Sequence, residues 1–174
     1  MKSKSVFTAA GILAVAAGVA LGANSLVQAA ETGHAQLADA AQMAAVKERQ
    51  ELMKSIGGNA KAVADFLKES KGTAAEAQAA AAKIGELAKT IPVAFETEAT
   101  LAEMDAVGKN RGKPEIWMNW DGFTAKAKTL EGKSAALAAA FEGGDAAAIQ
   151  AAFGDMGKNG CGGCHDDFRG PEVE

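Results

Sequence analysis

The chain has 174 residues and a formal net charge of −4 at pH 7, a length that suits one domain. Only 5% of the residues are aromatic and tyrosine is absent, which argues against an all-β fold. The mild acidity argues against nucleic-acid binding, which needs clustered Lys and Arg, and two Cys exclude a multi-bridge disulfide framework.

The N-terminus has the three-part layout of a secretory signal peptide. A basic start and an apolar run over residues 6–21 precede small residues that a signal peptidase reads. A retained membrane anchor is the alternative, because about 20 apolar residues can span a bilayer. The small-residue site favours removal, so we expect residues 1–29 to be a signal peptide that is cleaved after Ala29 or Ala30.

The expected mature domain, residues 30–174, contains no further stretch long and apolar enough to span a membrane. We therefore expect the mature protein to be soluble. The signal peptide places its compartment outside the cytoplasm, and we expect the periplasm.

The first two helices are predicted from apolar stripes. The first runs from about Asp39 to Glu69, and the second opens at Thr73 with a capping-box spacing and stops at Pro92. Gly57-Gly58 interrupt the first stripe, where we expect a bend or a close helix contact. The stripes consist of Leu52, Ile56, Ala60, Val63 and Leu67, then Ala80, Ile84, Leu87 and Ile91. Residues 93–112 lack periodicity and are predicted to form a long connection with room for a short helical turn.

The third and fourth helices complete the predicted fold. The third starts near Pro114 and is closed by Gly143-Gly144, and the fourth begins at its N-cap Asp145 and runs to about Phe168. Their inner faces are Ile116, Trp120, Phe123, Ala127, Leu130, Ser134, Leu137 and Phe141, then Ile149, Phe153 and Met156. Four amphipathic helices with two short glycine connections predict an all-α, antiparallel four-helix bundle.

The chemistry is predicted at the end of the fourth helix, where Cys161-Gly162-Gly163-Cys164-His165 forms a C-x-x-C-H motif. This spacing is the attachment signature of c-type haem. On a helix, residues three and four apart share one face, so two thiols can reach the two vinyl groups of one porphyrin. The adjoining His can then bind the iron, and the two glycines leave the ring edge unobstructed.

Three other interpretations of the motif are weaker. A structural zinc site needs four Cys or His ligands, and the only other His is His34, near the mature N-terminus. A thioredoxin-like redox pair needs a βαβ context, and no strand pattern is present. A disulfide would be strained across so short a helical loop. No acid–base pair, nucleophile or metal cluster points to an enzyme.

A helical bundle with C-x-x-C-H near its C-terminus resembles the class II cytochromes c, which comprise the cytochrome c-prime family and its low-spin relatives of the c-556 type. Class I cytochromes c carry the motif near the N-terminus instead. The resemblance covers roughly residues 40–170. Its further matches are Arg49-Gln50-x-x-Met53, Pro114-Glu115-Ile116-Trp117, Phe123, Phe153-Gly154 and Phe168-Arg169.

The resemblance implies one covalent haem c, held by Cys161 and Cys164, with His165 as an iron ligand. The family residue that matches Met53 points at the iron, either blocking an open sixth position or, in the low-spin relatives, binding it. We expect Met53 to bind; the alternative is ordinary core packing.

The resemblance also gives roles to two arginines. The residue that matches Arg49 approaches a haem propionate, and the one that matches Arg169 lies beside the proximal face of the haem. The competing interpretations are a solvated surface charge for Arg49 and a contact with the negative helix C-terminus for Arg169.

Two functions remain open. One is one-electron transfer between exported redox proteins, with His165 and Met53 as axial ligands. The other is binding of nitric oxide or carbon monoxide at a five-coordinate iron. A structural module whose haem only stabilises the fold is a third possibility without support of its own. Family members often dimerise through the first two helices, so the resemblance also implies a homodimer of this kind here.

Overall fold

The computed structural model describes residues 20–99 and 111–171. The chain divides into two units, Met1–Ala38 and Asp39–Glu174, and the second contains the helical bundle. The helices of the described residues are α1 (Ala20–Glu69), α2 (Ala74–Ala94), α3 (Glu115–Met118), α4 (Trp120–Gly143), α5 (Ala146–Asp155), a π-helical segment (Met156–Gly162) and α6 (Gly163–Phe168). No strand occurs within these ranges beyond one isolated bridge.

The first helix begins at Ala20, earlier than the predicted start near Asp39. Residues 20–38 contain no proline and are rich in Ala, Gln and Leu, so helix propensity favours continuation through them. The helix ends at Glu69 as predicted, and Ser70 and Gly72 turn the chain with φ angles of 53° and 79°. Residues 1–19 of the predicted signal peptide lie outside the described residues.

Gly57 and Gly58 lie inside an unbroken α1, and the expected close helix contact is wrong. A Cβ atom built on either glycine meets no other atom within 4 Å. Instead of a neighbouring helix, Gly57 faces a cavity. The stripe around these glycines is confirmed, because Leu52, Ile56 and Val63 are buried in the core.

The predicted capping box of α2 is confirmed. The Thr73 hydroxyl accepts from the Glu76 amide at 3.2 Å, and the Glu76 carboxylate accepts from the Thr73 amide at 2.8 Å. The predicted stop at Pro92 is wrong by two residues, since α2 continues to Ala94. Proline is compatible with helical φ, and the buried Ile91 and Ala94 side chains keep this last turn packed. Residues 100–110 of the predicted connection lie outside the described residues.

The third predicted helix is divided at Asn119. The Asn119 amide donates to the Glu115 carbonyl at 2.9 Å and closes α3, while its side chain accepts from the Gly122 amide at 3.2 Å and caps α4. A Cβ on Gly122 would lie 2.5 Å from the Asn119 side chain, so this cap requires glycine. The predicted inner face from Ile116 to Phe141, the seam of this helix, is otherwise confirmed: its members are buried except the half-buried Trp120.

The fourth predicted helix begins as expected but changes its winding before the C-x-x-C-H motif. Asp145 accepts from the amides of Ala147 and Ala148 at 2.8 and 3.1 Å. From Met156 to Gly162 the helix is π-helical, which the periodicity did not predict. Gly160 lies directly against α4, because a Cβ there would be 3.0 Å from the Leu130 Cδ1 atom.

The core joins all four parts of the predicted bundle, which confirms the all-α architecture. Phe66 of α1 lies 5.9 Å from Phe141 of α4, measured between ring centroids. Phe123 of α4 contacts Phe95, which follows α2, at 5.1 Å and Phe168 of α6 at 5.3 Å. The connections from Glu69 to Ala74 and from Gly143 to Ala146 are short, so they join antiparallel neighbours.

Across residues 20–99 and 111–171, none of the helices combines the length and apolar character that a bilayer span requires.

Gly160→Ala should destabilise the bundle, since the added methyl group has no room against Leu130. Overpacking of this kind costs about 1–3 kcal/mol. Gly154→Ala is the matched control: Gly154 is exposed on α5, its added methyl meets nothing within 4 Å, and the change should stabilise by up to about 1 kcal/mol. Thermal melts of both variants compare the two; equal melting temperatures would contradict the close contact.

Candidate functional site

A cavity of about 670 Å³ lies within the bundle. All six residues predicted to hold the cofactor line this cavity. They come from two distant stretches of the sequence, 49–53 and 161–169. They are Arg49, Met53, Cys161, Cys164, His165 and Arg169. The fold therefore brings the predicted residues of the first and last helices to one chamber.

The two cysteines lie on one wall of this cavity. Cys161 is in the π-helical segment and Cys164 is in the first turn of α6, and both are half-buried free thiols. Burial raises the pKa of the Cys161 thiol. It also raises the pKa of Cys164, to about 11, against the opposing effect of the nearby Lys126 charge. Both side chains are therefore neutral thiols at physiological pH.

His165 follows Cys164 on α6 and also faces the cavity. Burial lowers the pKa of the imidazole, and the positive charges of Arg169 and Arg111 lower it further. These effects favour the neutral imidazole at physiological pH. The neutral ring is the form that can bind iron.

Met53 approaches the cavity from α1. It is half-buried, it packs against the core, and it lies one helical turn after Arg49 on the same face. Core packing and a cofactor contact are not exclusive here, because the cavity is an opening in the core itself. The thioether of Met53 is a soft, neutral group on the α1 side of the cavity.

Arg49 is buried, with 4% of its surface exposed, which excludes a solvated surface charge. Its Nε donates to the Ala94 carbonyl at 2.9 Å, and Nη2 donates to the Thr97 carbonyl. Its guanidinium carbon lies 5.0 Å from the centroid of the Phe95 ring and 5.3 Å from that of Trp117. Burial lowers the pKa of Arg49, but an Arg remains charged at any physiological pH.

The polar side chains of the cavity fit a group that carries carboxylates. Nη1 of Arg49 is buried without a hydrogen-bond partner among the described residues. Among the same residues, the cavity is lined by five cations and by no Asp or Glu, in a protein whose net charge is negative. The cations are Arg49, Lys54, Arg111, Lys126 and Arg169. A buried guanidinium whose Nη1 amino group has no partner is suited to a haem propionate.

The remaining wall fits a large, flat, apolar group. Ile56, Ile91, Ile116, Phe123 and Leu130 line the cavity with aliphatic and aromatic surface. These five residues were predicted as core, and they also line the cavity. A porphyrin would complete this core, so the residues present fit haem.

Arg169 lies at the end of α6, and its side chain is exposed. Its amide donates to the His165 carbonyl at 3.0 Å, and its backbone forms the isolated bridge to Gly112. The backbone thus closes the helix, while the side chain lines the cavity. The predicted position of Arg169 beside the proximal face of the haem stays a prediction.

Three cations of the cavity were missed by sequence reasoning: Lys54, Arg111 and Lys126. Arg111 donates through Nε to the carbonyls of Gly170 and Pro171, at 2.9 and 3.1 Å, and so ties the C-terminus to the segment before α3. Lys126 pairs with Asp167 at 3.0 Å. Arg111 lies in an aperiodic connection that offered no signal, whereas Lys126 directly precedes the predicted core residue Ala127.

Arg49→Met should lower the free energy of unfolding by about 3–6 kcal/mol. The change removes two hydrogen bonds from a charged donor, each worth about 1.5–3 kcal/mol, and leaves two carbonyls short of a partner. Lys47→Met, two residues away on the exposed face of α1, is the control and should change stability by less than about 0.5 kcal/mol. Denaturant titrations measure both; equal midpoints would contradict a structural role for Arg49.

Comparison with known proteins adds a family match and close relatives. The model of the cytochrome c' family matches residues 44–169. Cytochrome c-556 of Agrobacterium tumefaciens (strain II Chrys) is 35% identical over 125 residues, which are 71% of this chain and 95% of that protein. Cytochrome c' of Rhodospirillum rubrum is 31% identical over 135 residues, 78% of this chain and 86% of that one.

The fold has similar solved structures as well. The crystal structure of cytochrome c' from Thermochromatium tepidum superposes with a TM-score of 0.64 and 28% identity. The match covers 75% of this chain and 97% of that one.

Proposed function

The chain belongs to the cytochrome c' family, and from that premise we propose that it is an exported one-electron carrier in which His165 and Met53 bind the two axial positions of the iron. Family members are haem proteins of the electron-transfer or gas-binding type. The covalent haem c of this family would be held here by Cys161, Cys164 and His165 and would supply one-electron redox chemistry.

The observation that carries the proposal is the convergence of the six predicted residues on one cavity. The Cys161 and Cys164 thiols line it from two consecutive helical segments, three residues apart, and each would form one thioether bond. His165 directly follows and presents a neutral imidazole. Two covalent bonds and one ligand from these adjoining segments would fix the position of the cofactor against them.

Met53 would supply the second ligand from α1. A thioether is soft and neutral, so iron accepts it in both redox states. Coordination of the iron by one His and one Met would change little when the iron is reduced. Such a small structural change suits an electron carrier better than a catalyst. The proposed role is therefore not enzymatic.

The other residues of the cavity would orient the group and exclude water. The apolar wall, with Phe123, Leu130 and Ile91, would cover the ring faces. Arg49 would direct its unused Nη1 donor to a propionate, and its contacts with the end of α2 would hold that donor in place. Arg169 would lie near His165 and stabilise negative charge at the cavity.

The proposed setting follows from the same function. Export by the predicted signal peptide would place the mature protein in the periplasm, where its partners would be other redox proteins. A homodimer through α1 and α2 belongs to this proposal, because the relatives of this fold include dimeric ones. Gas binding at a five-coordinate iron is the alternative that the experiment below separates from it.

A potentiometric titration of the holoprotein, followed by its absorption spectrum, tests the role. The expected result is one reversible transition of about 59 mV per tenfold change in the redox ratio, which is the one-electron slope. The spectrum should be low-spin at both ends of the titration. A high-spin spectrum at either end of the titration would contradict the carrier function with two axial protein ligands and favour gas binding.

A further inference from the structure

Trp117 contacts Arg49 without lining the cavity itself. The centroid of its ring lies 5.3 Å from the guanidinium carbon of Arg49. The ring of Phe95, which does line the cavity, lies 5.0 Å from the same carbon. Trp117 is half-buried on α3 and packs against the core. Three segments that are distant in the sequence therefore meet at one buried guanidinium.

Trp117 also holds the backbone that binds Arg49. Its indole Nε1 donates to the Phe95 carbonyl at 2.8 Å. Phe95 lies in the sequence between Ala94 and Thr97, whose carbonyls accept from Nε and Nη2 of Arg49. One indole thus gives this segment a hydrogen bond and gives the cation an aromatic ring, and indole is the aromatic side chain that attracts cations best.

These contacts leave one nitrogen of Arg49 for a ligand. Nη1 has no hydrogen-bond partner among the described residues, although only 4% of the Arg49 surface is exposed. Nε and Nη2 are both bound to carbonyls, so a rotation of the planar guanidinium would break both bonds. The contact with Trp117 adds a further restraint, and the position of Nη1 depends on all three.

We propose that Trp117 is a positioning residue, which holds Arg49 against a haem propionate and thereby raises the reduction potential of the protein. The proposal rests on the proposed contact between Arg49 and a propionate, and it does not depend on ligation by Met53. Reduction adds an electron, so a positive charge held near the haem favours the reduced state. Arg49 keeps its charge at any physiological pH, so its effect depends on where the charge is held.

Loss of the indole should move that charge away from the cofactor. An aliphatic side chain at position 117 would supply neither the hydrogen bond to Phe95 nor the ring contact with Arg49. The long side chain of Arg49 could then turn its charged end towards water. The propionate would lose its cationic partner, and the haem would lose a nearby positive charge. Both changes lower the reduction potential.

Trp117→Leu and Trp120→Leu of the holoprotein form the matched test pair. Trp120 is a second half-buried indole that does not line the cavity, and its ring lies 5.6 Å from that of Phe123. Its loss should lower the melting temperature but leave the reduction potential unchanged. Trp117→Phe is the conservative variant, because it retains a ring beside Arg49.

The reduction potential of each holoprotein, from a potentiometric titration, is the measured quantity. At a fixed solution potential, Trp117→Leu should lower the ratio of reduced to oxidised protein by about tenfold, which is 59 mV for one electron. Trp117→Phe should fall between Trp117→Leu and the wild type, and Trp120→Leu should stay within about twofold of the wild type. A Trp117→Leu ratio within about twofold of the wild type, or an equal fall in Trp120→Leu, would overturn the proposal.

The same change in an Arg49→Met background shows whether Trp117 acts through Arg49. If it does, adding Trp117→Leu should leave the potential of Arg49→Met nearly unchanged, because the charge that it positions is absent. An undiminished effect in that background would overturn the positioning role. The comparison of Trp117→Leu with Trp120→Leu does not need Arg49→Met, so it decides the question if that variant takes up haem poorly.

Two results separate this proposal from the proposed function. A high-spin wild type would refute ligation by Met53, while the tryptophan variants would still test the positioning of Arg49. An Arg49→Met holoprotein with the potential of the wild type would refute the contact with the propionate, and the role of Trp117 with it. Ligation by His165 and Met53 would stand in that case.

Discussion

Replacing Cys161 and Cys164 together by Ala should leave a chain without a cooperative thermal transition. The two thiols lie at the wall of a cavity of about 670 Å³ whose other walls are largely apolar. Without attachment, the cofactor could leave and that surface would face water. The bundle would then lack the group that fills the centre of its core.

The expected loss is comparable with the whole stability of a domain this size. If the cofactor covers roughly 300 Å² of apolar wall, at about 25 cal/mol for each Å², its burial is worth about 7 kcal/mol. Domains are stable by about 5–15 kcal/mol in total. The short-chained faces of α2, with Ala77, Ala80, Ala81 and Ala88 in the core, supply little to replace it.

Circular-dichroism melts and limited proteolysis measure this effect. The single variant Cys161→Ala is the control, since one remaining thioether should retain the haem and give a melt between those of the double variant and the wild type. A double variant that melts as cooperatively and at the same temperature as the holoprotein would show that the bundle does not depend on haem.

Met53→Ala should open the sixth position of the iron. The change removes the thioether that we propose as a ligand, so the ferrous protein should become high-spin. Carbon monoxide should then bind faster by orders of magnitude, because it no longer has to displace a side chain. The truncation also enlarges the cavity that Met53 lines, which adds to access.

Met43→Ala is the matched control for this prediction. Met43 lies on the same helix, is 38% exposed, and does not line the cavity, so its loss should change neither the spin state nor the binding rate. Stopped-flow mixing with carbon monoxide and absorption spectra compare the variants. Equal rates for Met53→Ala and the wild type would mean that Met53 does not bind the iron.

The sequence predicted the helices well wherever one side of a stripe had to be buried. The seam through Phe123, Leu130 and Leu137 and the caps at Thr73 and Asp145 are local patterns with one structural solution. The helix bounds differ from the predicted ones where local sequence preferences compete with tertiary packing or side-chain capping. At Pro92 the packing of α2 outweighs the missing hydrogen bond, and at Asn119 a side-chain cap divides a continuous apolar stripe.

The π-helical segment had no signal in the periodicity. Its glycines carry no side chains whose spacing could reveal the winding, and the contact that marks Gly160, against Leu130 of α4, is tertiary. Sequence reasoning about the motif assumed ordinary helical spacing. In the structure Cys161 belongs to the wider turn and Cys164 to the following α-helix.

The residues of the site could be predicted where they form a short sequence motif. Cys161, Cys164 and His165 form such a motif, and the resemblance added Met53 and the two arginines. The burial of Arg49 between Phe95 and Trp117 depends on where two distant segments pack, so spacing alone could not reveal it. Arg111 reaches the cavity for the same reason, through its contacts with the C-terminus.

The absorption spectrum of the reduced wild-type protein, recorded before and after addition of carbon monoxide, tests the central claim most directly. If His165 and Met53 both bind the iron, the reduced protein should be low-spin and its spectrum should change only slowly and incompletely with the gas. A high-spin spectrum that converts at once on addition of carbon monoxide would contradict the electron-carrier account and establish an open sixth position.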